Sequence, residues 1–301
     1  MQHAITKFRP PWLEGLAIKA SEEPFEVLPR INELVSLDDA EQVSRGAYLV
    51  TDRLEVPFAT DSSPIPLTKD REFYNGDQHA AYWASGYADF AKTRSACQRH
   101  GVDVLRYFEL GCSSGRVLRH WANSTSAEIV GCDLNARHAE WCRLFLPKRI
   151  VTFQNTALPS LPLEQNYFDA IAAFSVFTHI DDMEIAWLLE MRRILRPGGI
   201  AYLTVSSEQT WANHRQGWIK STFSPLADQI TEYKVDDAFF ASPTLPAPKT
   251  VLWWQANGGV YNSSVFHTMD YIESVWGRIF DIVEVIPSGH TYQDVIVLRK
   301  R

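Results

Sequence analysis

The chain has 301 residues, 46% of them hydrophobic and 22% charged, with a net charge of −7. That mix suits an ordinary globular protein of one large domain or two. The acidic balance, without a basic stripe, argues against DNA or RNA as the main partner, and no stretch approaches the roughly 18 apolar residues of a membrane span.

The opening "MQHAITKFRPPWLEGLAIKA" lacks the basic-then-apolar order of a signal peptide. Residues 1–75 read as an irregular N-terminal extension, rich in proline and mixed charge ("EEPFEVLPR", "SSPIPLTKD"). The pattern turns helical in "FYNGDQHAAYWASGYADFAKTRSACQRHG", where Tyr82, Tyr87, Phe90 and Ala91 recur at spacings of three to five and Gly101 stops the run. Strands and helices then alternate. "VLRYFEL" predicts a strand and "RVLRHWANS" a helix. "AEIVGCDL" and "ARHAEWCRLFL" repeat the pair, and "RIVTFQN" is a strand before the loop "TALPSLPLEQNY". "FDAIAAFS" predicts a buried strand and "DDMEIAWLLEMRRIL" an amphipathic helix. Asp181 is its expected N-cap, Glu184 completes a capping box, and Ile185, Leu188, Leu189 and Leu195 line one face. "RPGG" ends that helix before the strand "IAYLTVS".

Residues 207–260 break the rhythm with Trp, Ser and Pro and read as an insertion. A helix ("DYIESVWGRIF") and two strands ("DIVEVIP", "YQDVIVLRK") close the chain, and strands joined by so short a turn should pair antiparallel. The expected fold class is α/β: a doubly wound, mostly parallel, seven-stranded Rossmann-like sheet with an antiparallel C-terminal edge strand. Residues 76–301 form its domain, with 207–260 covering an acceptor site. Cys97, Cys112, Cys132 and Cys142 show no CxxC spacing, so neither disulfides nor a metal site are expected and a reducing cytoplasm is the simplest setting.

The most informative stretch is "FELGCSSGRVLRHW", residues 108–121, a strand, a glycine-bracketed turn and a helix start. Such a turn brings backbone close to a ligand and points a helix N-terminus at it. Glu109 opens the turn, and Asp133 ends the next strand some twenty residues later, where a carboxylate can accept ribose hydroxyls. A nicotinamide or flavin would also fit these two features. The spacing is GxxxG rather than GxGxxG, however, and an acid before the turn repels phosphate but suits an ammonium group.

"FELGCSSGRV", "IVGCDLN", "AFSVFTHI" and "MRRILRPGGIAYLTV", in that order, resemble the class I S-adenosylmethionine-dependent methyltransferases. The resemblance covers about 103–206 and, more loosely, 260–301. It is strongest to a bacterial group with "SVFTH" after the fourth strand, some of whose members are linked to glycan or cell-envelope methylation. One departure is Ser113, which replaces the middle glycine of the family's turn and is tolerated there if its φ is negative. The resemblance implies S-adenosylmethionine as cofactor, with Glu109, Gly111, Cys112 and Gly115 around its methionine part and Asp133 on its ribose. Leu134 would pack on the adenine, Asn155, Thr156 and Ala157 would approach the adenine edge, and Phe174 and Ser175 would flank the methionine chain.

Methyl transfer to a hydroxyl needs alignment and a general base. His179, just past the fourth strand, is the candidate catalytic residue. Asp181 and Asp182 beside it are better explained by the helix start than as metal ligands. Tyr82 and Trp83 on one side, and Trp253 and His267 on the other, are candidate acceptor contacts, although aromatic clusters at these spacings also serve as plain core. The "FSVF" sequence replaces the Asn- or Asp-Pro-Pro-aromatic motif common to base and amide N-methyltransferases. The expected function is O-methylation of a hydroxyl on a sugar, glycan or related metabolite. A small-molecule or lipid methyltransferase of secondary metabolism and a non-catalytic partner subunit are the alternatives. Oligomeric state is not readable.

Overall fold

The computed structural model describes residues 24–50, 52–254 and 262–301. The opening segment read for a signal peptide, and the "QANGG" part of the insertion, lie outside the described residues. The architecture is mixed α/β and Rossmann-like, with a mostly parallel sheet, an antiparallel C-terminal strand pair and an N-terminal extension. It divides into two compact units, one reaching to Ser95 and resuming over Leu105–Ala157, the other comprising Ala96–Val104 and Leu158–Arg301. No helix among the described residues is long and apolar enough to cross a membrane.

In the first unit the extension carries more regular structure than its composition suggests. Strand β1 (Val27–Arg30) pairs antiparallel with β2 (Pro64–Pro66), and helices α1 (Ile31–Leu34), α2 (Leu37–Tyr48) and α3 (Glu55–Thr60) lie between them in the chain. Ser36 caps α2 in a full capping box with Asp39. The long helix α4 (His79–Arg99) follows, and Gly101, at φ 70°, stops it as expected. Then come β3 (Arg106–Leu110), α5 (Leu118–Ser124), β4 (Glu128–Asp133), α6 (Ala136–Phe145) and β5 (Ile150–Gln154). The three strands are parallel, with Phe108 opposite Val130 and Cys132 opposite Phe153. This register leaves the turn after β3 beside Asp133 at the end of β4.

In the second unit, β6 (Phe168–Ala173) is fully buried and runs parallel to β7 (Leu195–Ser207), with α7 (Glu184–Ile194) as the crossover. The C-terminal β11 (Gln293–Arg299) lies antiparallel to β7 and to β10 (Asp281–His290), the expected closing hairpin. Two expectations for α7 fail. Its N-cap is Met183, with no side-chain cap, and Asp181 instead accepts a hydrogen bond from the N–H of Asp182. Glu184 turns inward and is 1% exposed. The buried face is Trp187, Leu188, Met191 and Ile194, whereas Ile185 and Leu189 are exposed.

The insertion is ordered where described. Helices α8 (Glu208–His214), α9 (Lys220–Phe223) and α10 (Asp237–Ala241) and strand β8 (Lys249–Trp253) gather an apolar cluster including Trp211, Phe223, Phe240 and Leu252. Strand β9 (Ser263–His267) pairs with β8 and touches β7 at Ser206 and Ser207, before α11 (Met269–Val275).

Candidate functional site

The turn after β3 is built against β4. The N–H groups of Gly111 and Cys112 both donate to the Cys132 carbonyl, at 2.8 and 2.9 Å. Gly115 sits at φ 72°, and a Cβ there would stand 2.3 Å from the Leu146 side chain at the C-terminal end of α6 and 3.0 Å from Cys142 Sγ. Ser113 departs from the expected negative φ. It adopts 46°, a left-handed conformation that costs a non-glycine residue about 1–2 kcal/mol. Its N–H donates to Asp133 Oδ2 at 2.7 Å, a charge-assisted bond that offsets the strain. Asp133 Oδ1 accepts from the N–H of Asn135 at 2.8 Å. One carboxylate therefore ties the turn to the start of α6.

Glu109 is 3% exposed, and burial pushes its carboxyl up to about 8 despite the Arg116 guanidinium and the Tyr107 hydroxyl, which donates to it at 3.2 Å. Asn155, at the end of β5, is bonded through its N–H to the Asp133 carbonyl, and its buried Oδ1 has no hydrogen-bond partner. Leu134 and Thr156 are half-buried and Ala157 is exposed. Cys112 is a buried thiol whose sulfur faces the Ser113 carbonyl, as does that of Cys142.

Residues the sequence reading passed over complete this region. His138, 2% exposed, places Nδ1 at 3.5 Å from Asp133 Oδ1. Burial opposes its charge, but the Asp133 carboxylate outweighs burial and raises its pKa. A compact turn from Thr68 to Gln78 meets the same elements. Ser114 Oγ donates to the Asp70 carbonyl, Arg137 pairs with the Asp70 carboxylate, and Glu72 lies 3.8 Å from His138. Arg71 between them is 1% exposed, and its Nη2 donates to the Gly76 carbonyl and to His79 Nδ1. A signal existed in "TKDREFYN", a dense charge run inside an apolar-flanked segment, but nothing local says where its side chains point.

Tyr82 and Trp83, expected at the acceptor, are core residues at 2% and 0% exposure. The Trp83 indole N–H donates to Asp61 at 2.8 Å, and the Tyr82 ring stacks under Arg71, 4.6 Å from the guanidinium carbon.

In the second unit His179 is held at both ends by Ser263. Its Nδ1 donates to the Ser263 carbonyl at 2.6 Å, and Ser263 Oγ donates to the His179 carbonyl at 3.0 Å. Burial lowers the pKa of His179 more than that carbonyl raises it. Phe174 is buried against Tyr202 and His290, and Ser175, at φ 56°, donates from its N–H to Thr204 Oγ1 at 2.7 Å. Trp253 is 42% exposed. His267, the fourth expected acceptor contact, is fully buried with Glu184 3.4 Å away, and Lys249 and Trp276 also bind that acid. Burial would raise the Glu184 carboxyl, but His267 and Lys249 hold it down at about 2. His267 thus packs as part of a charge network.

The first unit's groups fit an adenosyl amino acid. Glu109 is a buried acid, protonated in the empty site, that an ammonium would favour ionising, and Asp133 keeps a lone pair on each oxygen for a ribose diol. Asn155 offers a buried acceptor without a partner. Residues 108–203 match the family described as a methyltransferase domain. Over that stretch the chain is similar to methyltransferase domains.

The chain is similar to the malonyl-acyl-carrier-protein O-methyltransferase of Enterobacter lignolyticus, at 25% identity over 50% of this chain and 65% of that protein. It is also similar to a sterol 24-C-methyltransferase of Gibberella zeae, at 25% identity over 34% of this chain and 28% of that one. Among solved structures, the 1,6-didemethyltoxoflavin-N1-methyltransferase of Burkholderia thailandensis aligns over 93% of each chain at 12% identity and a TM-score of 0.48. The chain spans less than two thirds of the length of the curated relatives it matches.

Proposed function

We propose that the protein is an O-methyltransferase acting on a hydroxyl of a sugar, glycan or related metabolite, with His179 as general base. The observation that carries this reading is the Nδ1 bond from His179 to the Ser263 carbonyl. A carbonyl only accepts, so Nδ1 holds the proton and Nε2 presents a lone pair. Burial keeps the ring neutral, which is the state a base requires.

S-adenosylmethionine supplies a methyl group activated on a sulfonium. His179 would take the proton of the acceptor hydroxyl at Nε2, freeing the oxygen for the methyl group that S-adenosylmethionine would supply. Glu109 and the glycine turn hold the amino-acid end, Asp133 the ribose, and Asn155 the adenine edge. Phe174 and Ser175 flank the methionine chain, and the insertion, through Trp253, contributes to acceptor binding. Exposed aromatic surface at Trp253 supports a sugar-like acceptor, because flat rings cover the apolar faces of pyranoses. The same surface would also take another bulky polar metabolite.

The test is to incubate the protein with isotopically labelled S-adenosylmethionine and candidate glycans and metabolites, and to follow label by mass analysis. Label in an ether at a sugar hydroxyl is the expected result. Label on nitrogen or carbon of the acceptor overturns the O-methylation reading and leaves the cofactor assignment standing.

A further inference from the structure

We propose that Lys249, supplied by the insertion, is a positioning residue for His179: it pins the strand pair β8–β9 to the loop that carries the histidine. This rests on His179 being the general base. The two strands pair without a register shift, Lys249 opposite His267, Val251 opposite Val265 and Trp253 opposite Ser263. Side chains alternate along a strand, and directly opposed residues share a face, so these six stand on one side of the ribbon. The other side carries Leu252 and Phe266, which are buried in the apolar cluster with Trp211.

The side with the six residues meets residues 178–183, a stretch without helix or strand of its own, and the start of α7 at Glu184. At one end of the ribbon the bonds are neutral. The N–H of Val265 donates to the Thr178 carbonyl at 2.8 Å, and Ser263 makes its two bonds with His179. At the other end the contact is charged. Lys249 Nζ lies 2.5 Å from Glu184 Oε2 and also donates to the Asp181 carbonyl, two residues beyond His179. His267 Nε2 and the Tyr271 hydroxyl each stand 3.4 Å from the same oxygen, and the Trp276 indole N–H donates to the other one.

A loop without a ladder of its own takes its place from what it is tied to. Lys249 reaches both the loop, at Asp181, and the helix that follows, at Glu184, so ribbon, loop and helix are held as one body. Charge-assisted bonds to a buried acid are also the strongest of these ties. The bond from His179 Nδ1 to the Ser263 carbonyl, which selects the tautomer of the ring, is directional and weakens when the two backbones shift apart. Trp253 stands directly across from Ser263, so the same pin sets its exposed ring relative to the histidine.

The experiment reads the ring itself, by long-range proton–nitrogen correlation NMR of the full-length protein at about pH 8, where the lowered pKa leaves His179 neutral. Its signals are assigned by their loss in His179→Gln. Wild type should show the widely split nitrogen pair of one fixed tautomer, Nδ1 protonated and Nε2 not. Lys249→Met should lose the split as the ring averages between tautomers, and Lys249→Arg, which keeps a cation and its donors, should restore most of it. Because Lys249→Met leaves an ionised Glu184 without its main partner, the double variant Lys249→Met/Glu184→Gln removes both charges and spares the fold. It too should lose the split, since the tie to Asp181 is gone.

A wild-type ring that already averages between tautomers overturns the proposal. A split that survives unchanged in the double variant also overturns it and assigns the orientation of the ring to Ser263 alone. A split that is lost as expected, together with undiminished turnover of His179→Ala in the labelled S-adenosylmethionine assay, removes the base and leaves Lys249 as the residue that places the ring.

Discussion

His179 carries the sharpest consequence at the level of single residues. Positioned base catalysis is worth about 10²- to 10⁴-fold, so His179→Ala should lower turnover by that factor while S-adenosylhomocysteine affinity is unchanged. Because burial depresses its pKa, the wild-type rate should rise through one ionisation centred below the ordinary histidine value of 6.5, and the mutant should lack that limb. Near-normal turnover with an unchanged pH profile would reduce His179 to a packing residue. Glu109 titrates in the opposite sense. Its folded-state carboxyl lies near 8 against an ordinary 4.5, so the native state holds a proton that the unfolded chain releases between those values. That contribution is present below pH 4.5 and lost as pH rises through 8. The unliganded melting temperature should therefore fall between about pH 4.5 and 8 and level off above, and Glu109→Gln should flatten the fall. Identical slopes for wild type and variant would show that the acid is ionised throughout. The positions of both residues at strand ends were legible in the sequence, because an apolar run stops just before or at each. The left-handed conformation of Ser113 was not, since the carboxylate that meets its N–H lies twenty positions away.

At the level of elements, the extension is joined to α5 through Asp61. Both Asp61 and Arg119 are fully buried, with Nε to Oδ2 at 2.7 Å and Nη2 to Oδ1 at 3.1 Å, and Trp83 adds a third bond. Burial would raise the Asp61 carboxyl, but Arg119 prevails and holds it at about 2. This stabilisation is present above the ordinary value of 3.8 and disappears as pH falls toward 2. Asp61→Asn leaves a buried guanidinium without its counter-charge, at a cost of about 3–5 kcal/mol. Urea denaturation at pH 7 should show a loss of unfolding free energy of that size, and a change under about 1 kcal/mol would mean that water reaches the pair. The sequence reading took this segment as irregular because Asp61 and Arg119 are 58 residues apart and neither shows periodicity. The α7 cap failed for a related reason. Asp181 and Glu184 have capping-box spacing, but Glu184 finds Lys249, His267 and Trp276, and desolvated ionic partners outbid an exposed backbone N–H.

For the whole molecule, cofactor binding should appear as thermal stabilisation. S-adenosylhomocysteine at a hundred times its Kd stabilises the native state by about 2.7 kcal/mol if the unfolded chain does not bind it. Asp133→Asn should lose most of the accompanying shift. Alanine at that position is the poorer probe, because the carboxylate also satisfies the N–H groups of Ser113 and Asn135. A shift with NADH and none with S-adenosylhomocysteine would refute the cofactor. By itself the sequence determined the alternation of strands and helices, the antiparallel closing pair, the glycine turn and the acid at the end of β4. Those features follow from local periodicity and turn chemistry, which act over a few residues. Only the tertiary structure decided that Tyr82, Trp83 and His267 are core and that Ser263 orients His179. Each of these depends on which distant residues meet and whether water is excluded where they do, and hydrophobic pattern along one chain carries neither fact.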